Sequence, residues 1–287
     1  MHKFLLALFC LTIQHLFGED DGIAKRLKYS TWWNYQSIIV NGKVVYDTQQ
    51  VSGGEQIIWD RYTGMKQVLD QYKRPFTVLD IGANNGFFSL KIAEDYDACC
   101  VMVDVSQRLT DICTLNTDRN KIIHFKKKFS LADIKKLTKE EHFDVILVPY
   151  VLHHVKDGWE KWFETLLTLG DQIIISIPCK RESDPEGDIS RMEKYFLEHK
   201  EGHYLGKFSR GDSSYGHMIW FCANPKSFEE KSKHPFGIKP STYSQFNGNF
   251  PSPAYVSFID RKLKKKHGKN NGWVLQGVDY YLPTKVS

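Results

Sequence analysis

Short apolar runs alternate with amphipathic stretches through the middle of this chain. Between residues 76 and 178 the apolar runs are nearly unbroken, which is typical of strands buried on both faces of a parallel sheet. The intervening stretches place apolar residues at helical spacing. The predicted strands are 76–81, 99–104, 122–129, 143–150 and 172–178, and the predicted helices are 55–73, 86–95, 107–116, 131–137 and 157–169.

The alternation of single strands with single helices ends after residue 178. A predicted helix near 186–199 is followed by two predicted strands, 203–210 and 217–223, that are separated by the turn "GDSSYG". Strands joined so tightly must run antiparallel. The chain is therefore predicted to form a Rossmann-like, doubly wound α/β fold. Its mostly parallel, seven-stranded sheet would end in an antiparallel last strand, with extensions at both termini.

Composition and net charge restrict the possible functions and partners only slightly. The 287 residues are 41% apolar and 25% charged, which is ordinary for a globular chain, and a net charge of +5 permits an anionic partner without requiring one. The six cysteines form no C-x-x-C pair, so reduced and mostly buried thiols are expected. The spacing of cysteines and histidines predicts no metal site.

The N-terminus resembles a targeting segment. One lysine precedes an apolar run from Phe4 to Leu16, and small and acidic residues follow, which predicts a secretory signal cleaved after Gly18. The run is too short to span a bilayer comfortably. The alternative is a buried N-terminal helix.

The stretch "VLDIGANNGFF", residues 78–88, lies between a predicted strand and a predicted helix. Ligands of open parallel sheets bind beyond the carboxyl ends of the strands. Gly82 and Gly86 leave the backbone bare at that point, and the helix N-terminus offers N–H groups to an anion. Asp104 ends the next strand, where a carboxylate can accept both hydroxyls of a ribose. The predicted ligand is an adenosine compound with an anionic end.

Nicotinamide dinucleotides and S-adenosylmethionine both match this description, and the residues favour S-adenosylmethionine. The dinucleotide fingerprint G-x-G-x-x-G fails, because Asn84 and Phe87 replace two of its glycines. A pyrophosphate would also meet the like charge of Asp80. S-adenosylmethionine instead carries an α-ammonium group, which suits that carboxylate.

These motifs resemble those of the class I S-adenosylmethionine-dependent methyltransferases. "VLDIGANNG" is similar to their glycine-rich first motif, "VMVDVS" to the acidic second motif, "FDVILVPYVLHHV" to the fourth-strand motif and "IIISIP" to the fifth strand. The resemblance covers residues 65–223 and implies S-adenosyl-L-methionine as cofactor. The predicted organisation is a hydrophobic segment at 1–18, a cap or lid at 19–64, a methyltransferase domain at 65–223 and a C-terminal extension at 224–287.

The resemblance also assigns residues to each part of the cofactor. Arg61, on the helix before the first strand, is predicted to reach the cofactor carboxylate; alternatively it is solvated or paired with Asp60 or Asp70. The other predicted contacts are Asp80, Gly82, Asn84 and Gly86 with the methionine end, Asp104 with the ribose, Val105, Ser130 and Leu131 with the adenine, and Pro149 beside the reactive methyl.

Three residues at or just beyond the end of the fourth predicted strand are candidates for catalysis. A base helps when the acceptor is a hydroxyl or amine that loses a proton, and histidine is suited to that task near neutral pH. His154 or His153 is therefore a candidate general base; the alternative is that both cap or pack the next helix. Tyr150 is either an orienting hydroxyl or an aromatic wall beside the sulfonium.

Substrate choice is expected to lie in the flanking regions. The aromatic "STWWNYQ" at 30–36 is either a lid or ordinary packing. The basic run Arg261–Lys269 would contact RNA, lipid headgroups or a phosphorylated glycan, or it is a solvated helix end that complements the macrodipole.

The sequence thus predicts methyl transfer to a hydroxyl or amine of a small molecule or glycan. Two alternatives stay open: an RNA or protein methyltransferase that uses the basic segment, and an inactive cofactor-binding module. Localisation is also open, because S-adenosylmethionine is made in the cytosol whereas residues 1–18 suggest export or anchoring.

Overall fold

The structure is a computed structural model. It describes residues 36–46, 57–116, 122–139, 141–155, 158–179, 187–209, 215–229 and 275–276. The predicted signal segment, most of the aromatic run and the basic run Arg261–Lys269 lie outside the described residues.

A mixed sheet forms the centre of the described chain. Its strands are β3 (Thr77–Ile81), β4 (Cys99–Asp104), β5 (Ile122–Lys126), β6 (Phe143–Pro149), β7 (Gly170–Pro178), β8 (Gly202–Ser209), β9 (Tyr215–Cys222) and β10 (Leu275–Gln276). A separate antiparallel hairpin joins β1 (Ile38–Val40) to β2 (Lys43–Tyr46).

The order of the strands confirms the predicted fold class. They run β10-β5-β4-β3-β6-β7-β9-β8 across the sheet. Strands β3 to β7 pair in parallel, and β9 runs antiparallel between β7 and β8. The two-residue β10 adds an antiparallel strand beside β5, beyond the seven strands predicted.

Helices cover both faces of this sheet, as near-continuous apolar strands require. They are α1 (Ile57–Leu69), α2 (Phe87–Tyr96), α3 (Gln107–Leu115), α4 (Leu131–Leu137), α5 (Trp159–Leu169) and α6 (Asp188–Leu197). Successive strand residues alternate between two apolar cores. Val78 joins the core under α1 to α3, for example, and Leu79 joins the core under α4 to α6.

The predicted domain boundary at residue 64 falls inside α1. Gly64 lies so close to the Phe208 ring of β8 that a Cβ there would stand 2.7 Å from its Cζ. Residues Ile38–Val40 of β1 belong to the same apolar core as α1. The described part of the predicted cap therefore belongs to the apolar core under α1 to α3.

The order in which successive strands are placed across the sheet reverses at β3, which has β4 on one side and β6 on the other. The carboxyl ends of these strands therefore face a crevice at a topological switch point, where α/β sheets bind their ligands. At the opposite edge, Arg74 forms a buried ion pair with Asp144 at the start of β6.

None of the helices in the described ranges has both the length and the apolar character that a membrane span requires.

Five cysteines fall in the described ranges and are unbridged; Cys99, Cys100 and Cys113 are buried, whereas Cys179 and Cys222 are half-buried.

Candidate functional site

The turn between β3 and α2 has an unusual backbone. Gly82, Asn84 and Gly86 have φ values of 76°, 56° and 74°, in the left-handed region that favours glycine and tolerates asparagine. A Cβ on Gly82 would collide with Cγ2 of Val151, and one on Gly86 would lie 2.8 Å from Sδ of Met102. The Gly82 N–H donates to the Val103 carbonyl over 2.7 Å, which fastens the turn to β4.

Helix α2 begins directly after this turn. Its N-cap is Gly86, which has no side chain of its own to cap the first turn. The early N–H groups of the helix and its dipole are therefore available to an anionic group in the crevice.

Asp80 lies at the end of β3 and is 0% exposed. Its Oδ2 accepts a hydrogen bond of 2.8 Å from the Ser89 hydroxyl, whereas Oδ1 has no hydrogen-bond partner among the described residues. Burial raises the pKa of Asp80 to about 7; the Ser89 hydrogen bond opposes this rise, and the nearby charge of Asp104 adds to it. Such a carboxyl group suits a cationic partner.

Asp104 lies one strand over, at the end of β4, and is held differently. Its Oδ2 accepts from the Asn84 N–H and its Oδ1 from the Ser106 N–H, both over 2.8 Å. Each carboxylate oxygen keeps capacity for a further donor, such as a ribose hydroxyl. The neighbouring Val105 is 60% exposed, so it offers an apolar surface beside that carboxylate.

Ser130 and Leu131 begin α4 on the far side of β5. The Asp133 N–H donates to the Ser130 hydroxyl over 3.2 Å, and the Ser130 N–H donates to Oδ2 of Asp133 over 3.1 Å, which completes a capping box. The Ser130 hydroxyl also donates to Oδ2 of Asp133 over 2.7 Å. The Ser130 side chain therefore stabilises the helix start. An adenine ring at this position would meet the backbone of Ser130 and the half-buried Leu131.

Arg61 and Tyr150 are brought together. Arg61 is 2% exposed, so the expectation of a solvated side chain is wrong. Its guanidinium carbon lies 4.5 Å from the centre of the Tyr150 ring. Tyr150 has a φ of 57°, and its hydroxyl packs against Gly216 of β9. Pro149, the preceding residue, is buried and pairs with Ser176 of β7.

His153 and His154 lie in a short 3-10 turn, Leu152–His154, after β6. Their rings are 3.9 Å apart, and the His153 ring is 6.3 Å from that of Tyr150. His153 is half-buried and His154 is exposed. The N-cap of α5 is Gly158, which has no side chain of its own to cap the helix.

Two contributors to the site were not predicted. The Gln36 side chain accepts from the Asn85 N–H over 3.1 Å, and the Asn85 amide donates to the Gln36 carbonyl over 3.1 Å. These bonds fasten the segment before β1 to the glycine turn. Ser89, which holds Asp80, lies one helical turn into α2, where a polar residue among apolar ones was the available signal.

Comparison with known proteins agrees with this geometry. The sequence profile of the family described as "Methyltransferase domain" matches residues 78–169. This segment is a methyltransferase domain. The match includes the glycine turn, both carboxylates and the strand that ends at Pro149. The class I S-adenosylmethionine-dependent superfamily is thereby confirmed, and with it S-adenosyl-L-methionine as the cofactor.

One curated relative of this methyltransferase domain is the O-antigen chain terminator bifunctional methyltransferase/kinase WbdD of Escherichia coli. It is 26% identical over 197 residues, which are 63% of this chain and 26% of WbdD. The chain thus spans about a quarter of that relative's length.

Solved structures with a similar fold include the N-methyltransferase NodS from Bradyrhizobium japonicum WM9, in complex with S-adenosyl-l-homocysteine. NodS is 17% identical with a TM-score of 0.42, over 58% of this chain and 87% of NodS. The N-terminal domain of EvdMO1, with the same ligand bound, is 14% identical with a TM-score of 0.43, over 70% of this chain and 95% of that one.

Proposed function

We propose that this methyltransferase transfers the methyl group of S-adenosylmethionine to a hydroxyl or amine of a glycan or related small molecule. The observation that carries the proposal is the pair of unlike carboxyl groups across the glycine turn. Asp80 is buried with one oxygen uncommitted among the described residues, and Asp104 is fixed by two backbone N–H groups. Asp80 then binds an ammonium group, and Asp104 binds the ribose hydroxyls.

The remaining contacts follow from this placement. Val105 supports the adenine through its exposed side chain, and the bare turn at Gly82, Asn84 and Gly86 admits the methionine end. Arg61 attracts the cofactor carboxylate from the same face of the sheet. Because the guanidinium already covers one face of the Tyr150 ring, that ring acts as a packed wall of the methyl-transfer region.

The bound cofactor supplies an activated methyl group, so the protein must align an acceptor behind it and exclude water. His154 is exposed just beyond the Pro149 strand end, where an acceptor approaches, and it takes the proton of a hydroxyl or amine as that group is methylated. Tyr150 and Pro149 shape the inner wall.

The glycan acceptor is supported by WbdD, whose name describes termination of O-antigen chains by a methyltransferase and kinase. Nothing in the described ranges favours a nucleic-acid acceptor, and the basic run Arg261–Lys269 lies outside them.

One experiment tests both the site and the reaction. The full chain is incubated with methyl-labelled S-adenosylmethionine and separate glycan, protein and RNA fractions. S-adenosylhomocysteine affinity is measured in parallel by calorimetry. We expect label in the glycan fraction, and in Asp104→Asn an affinity loss of about 10–100-fold, because a charge-assisted hydrogen bond contributes about 1.5–3 kcal/mol.

The matched control is Glu198→Gln, which removes an exposed carboxylate at the end of α6 and should leave affinity unchanged. Label in the RNA or protein fraction would reject the glycan acceptor. Cofactor binding without transfer to any fraction would identify a cofactor-binding module instead. Wild-type affinity in Asp104→Asn would refute the site itself.

A further inference from the structure

A cluster of metal-ligand side chains lies on the other side of the sheet from Arg61 and Tyr150. Cys179 directly follows β7, Glu193 is on α6 and His217 is on β9. Their donor atoms all lie within 4.8 Å of one another. We propose that these three residues form a binding site for a divalent transition-metal ion of the zinc class.

The distances fit a zinc centre with little movement. His217 Nε2 lies 3.3 Å from Cys179 Sγ and 2.8 Å from Glu193 Oε1. Tetrahedral zinc with its usual bond lengths separates a sulfur and a nitrogen ligand by about 3.5 Å, and a nitrogen and an oxygen ligand by about 3.3 Å. A shift of about half an ångström, within the reach of Glu193 rotamers, completes the three-ligand set.

The surroundings of His217 support ligation. Its other ring nitrogen, Nδ1, lies 3.1 Å from the Tyr204 hydroxyl on β8. A hydrogen bond at the second nitrogen fixes the orientation and tautomer of an imidazole ligand, as outer-shell partners do in most histidine metal sites. Thiolate, imidazole and carboxylate are also the ligand types that zinc accepts.

The charges and the exposure of the three side chains also support a metal site. A thiolate beside a carboxylate repels it, and a divalent cation between them removes that repulsion. The His217 and Glu193 side chains are 13% and 17% exposed, so the cluster is shielded but not sealed. With three protein ligands, a fourth position stays open to water or a substrate oxygen.

The site ties together elements that line the methyl-transfer region. His217 follows Gly216, against which the Tyr150 hydroxyl packs, and pairs in register with Ile177 of β7. A bound ion therefore holds the end of β7, the start of β9 and α6 in one arrangement. The ligands are far apart in sequence, 38 residues for Cys179 and His217 and 24 for Glu193 and His217, so ligand spacing did not reveal them.

The test uses the full chain, stripped of metal with a chelator that is then removed. Zinc is titrated against a chromophoric competitor, and cobalt(II) is added separately to read thiolate ligation from its near-ultraviolet charge-transfer absorption. We expect one equivalent of zinc, a cobalt–thiolate band, and affinity losses above about tenfold in Cys179→Ser, Glu193→Gln and His217→Gln. Tyr204→Phe should weaken binding by about 10–100-fold.

Two controls replace the same residue types elsewhere: Cys222→Ser for the thiol and His203→Gln for the imidazole. Both should bind zinc like the wild type, and circular dichroism checks that every variant is folded. Failure of the wild type to bind zinc would overturn the proposal. Zinc binding that Cys179→Ser and His217→Gln leave intact would overturn it too, because the ion would then be held elsewhere. Neither result depends on the proposed acceptor.

Discussion

Two carboxyl groups at one edge of the sheet differ in how they are held. Asp104 accepts two backbone N–H bonds, whereas the fully buried Asp80 accepts one bond from Ser89. Burial dominates at Asp80 and raises its pKa to about 7. Asp80 therefore changes charge near neutral pH.

Cofactor affinity should therefore depend on pH through Asp80. Its carboxylate must be ionised to pair with an ammonium group, so below pH 7 binding has to displace a proton. We expect affinity for S-adenosylhomocysteine to fall by up to about tenfold per pH unit below about 7, measured by calorimetry. Asp80→Asn should bind more weakly at pH 8 and show a flat profile.

The raised pKa of Asp80 also makes the cofactor-free protein less stable as pH rises, which is opposite to the trend in cofactor affinity. The folded-state pKa lies above the usual value of 3.8, so folding takes up a proton between 3.8 and about 7. The contribution of Asp80 to stability is then lost as pH rises through that window, by about 4 kcal/mol in all. Equal pH profiles of unfolding for wild type and Asp80→Asn would contradict this account.

Local order in the sequence was enough to predict where several candidate cofactor residues lie in the fold. Asp80 and Asp104 lie at the ends of strands that are apparent from apolar runs, Gly82 follows the first of them, and parallel strands align their carboxyl ends. Gln36 was out of reach, because it meets Asn85 across 49 residues and no spacing rule relates them. Ser130 was predicted to contact the adenine, and its hydroxyl also stabilises the start of α4 through Asp133.

At the scale of secondary-structure elements, the turn between β3 and α2 requires a glycine at residue 82. Gly82→Ala forces a Cβ into Val151 and a residue into a φ of 76°. We expect a stability loss of about 2–5 kcal/mol, from about 1–2 for the backbone and about 1–3 for overpacking. Urea unfolding monitored by circular dichroism measures it.

The double variant Gly82→Ala/Val151→Ala separates the two causes. Removing the Val151 branches relieves the collision but leaves the backbone strain, so it should recover about 1–3 kcal/mol. No recovery would mean that the collision with Val151 is not the source of the loss. Asn84→Gly, at a φ of 56°, is the matched control and should keep near wild-type stability.

Element boundaries show where sequence patterns lose information. The helix predicted over 157–169 ends at Leu169 as α5, and Gly170 is both its C-cap and the first residue of β7. The strand was predicted to begin at 172, since Gly170 and Asp171 are not apolar. Pairing of Gly170 with Phe143 of β6 extends it, and that pairing is a property of the neighbouring strand.

At the scale of the described molecule, the candidate cofactor site and a buried ion-pair network lie at opposite ends of the parallel strands. At the edge away from the crevice, the Asp144 carboxylate pairs with the Arg74 guanidinium and accepts from the N–H and hydroxyl of Thr77, over 2.9 and 3.0 Å. Arg74 also donates to the Ser227 carbonyl over 3.0 Å. This network joins β3, β6 and the segment after β9.

Asp144→Asn should therefore destabilise the fold without changing the site. Removing one partner of a buried ion pair leaves the other charge uncompensated, at a cost of about 3–5 kcal/mol. Lys91→Gln, which breaks the exposed pair with Asp95 on α2, should cost less than about 1 kcal/mol. Unfolding curves compare the two, and a similar loss in both would contradict the assigned role of Asp144. Calorimetry on the folded Asp144→Asn protein should return wild-type affinity for S-adenosylhomocysteine.

The contact between Gln36 and Asn85 bears on where a functional fragment of this chain begins. A truncation starting after β2 would retain all of residues 78–169 and both carboxylates, yet would lose the two bonds that fasten the glycine turn from outside. The boundary that sequence similarity draws is therefore narrower than the unit that folds around the cofactor. Expression of this domain in isolation should start upstream of Gln36.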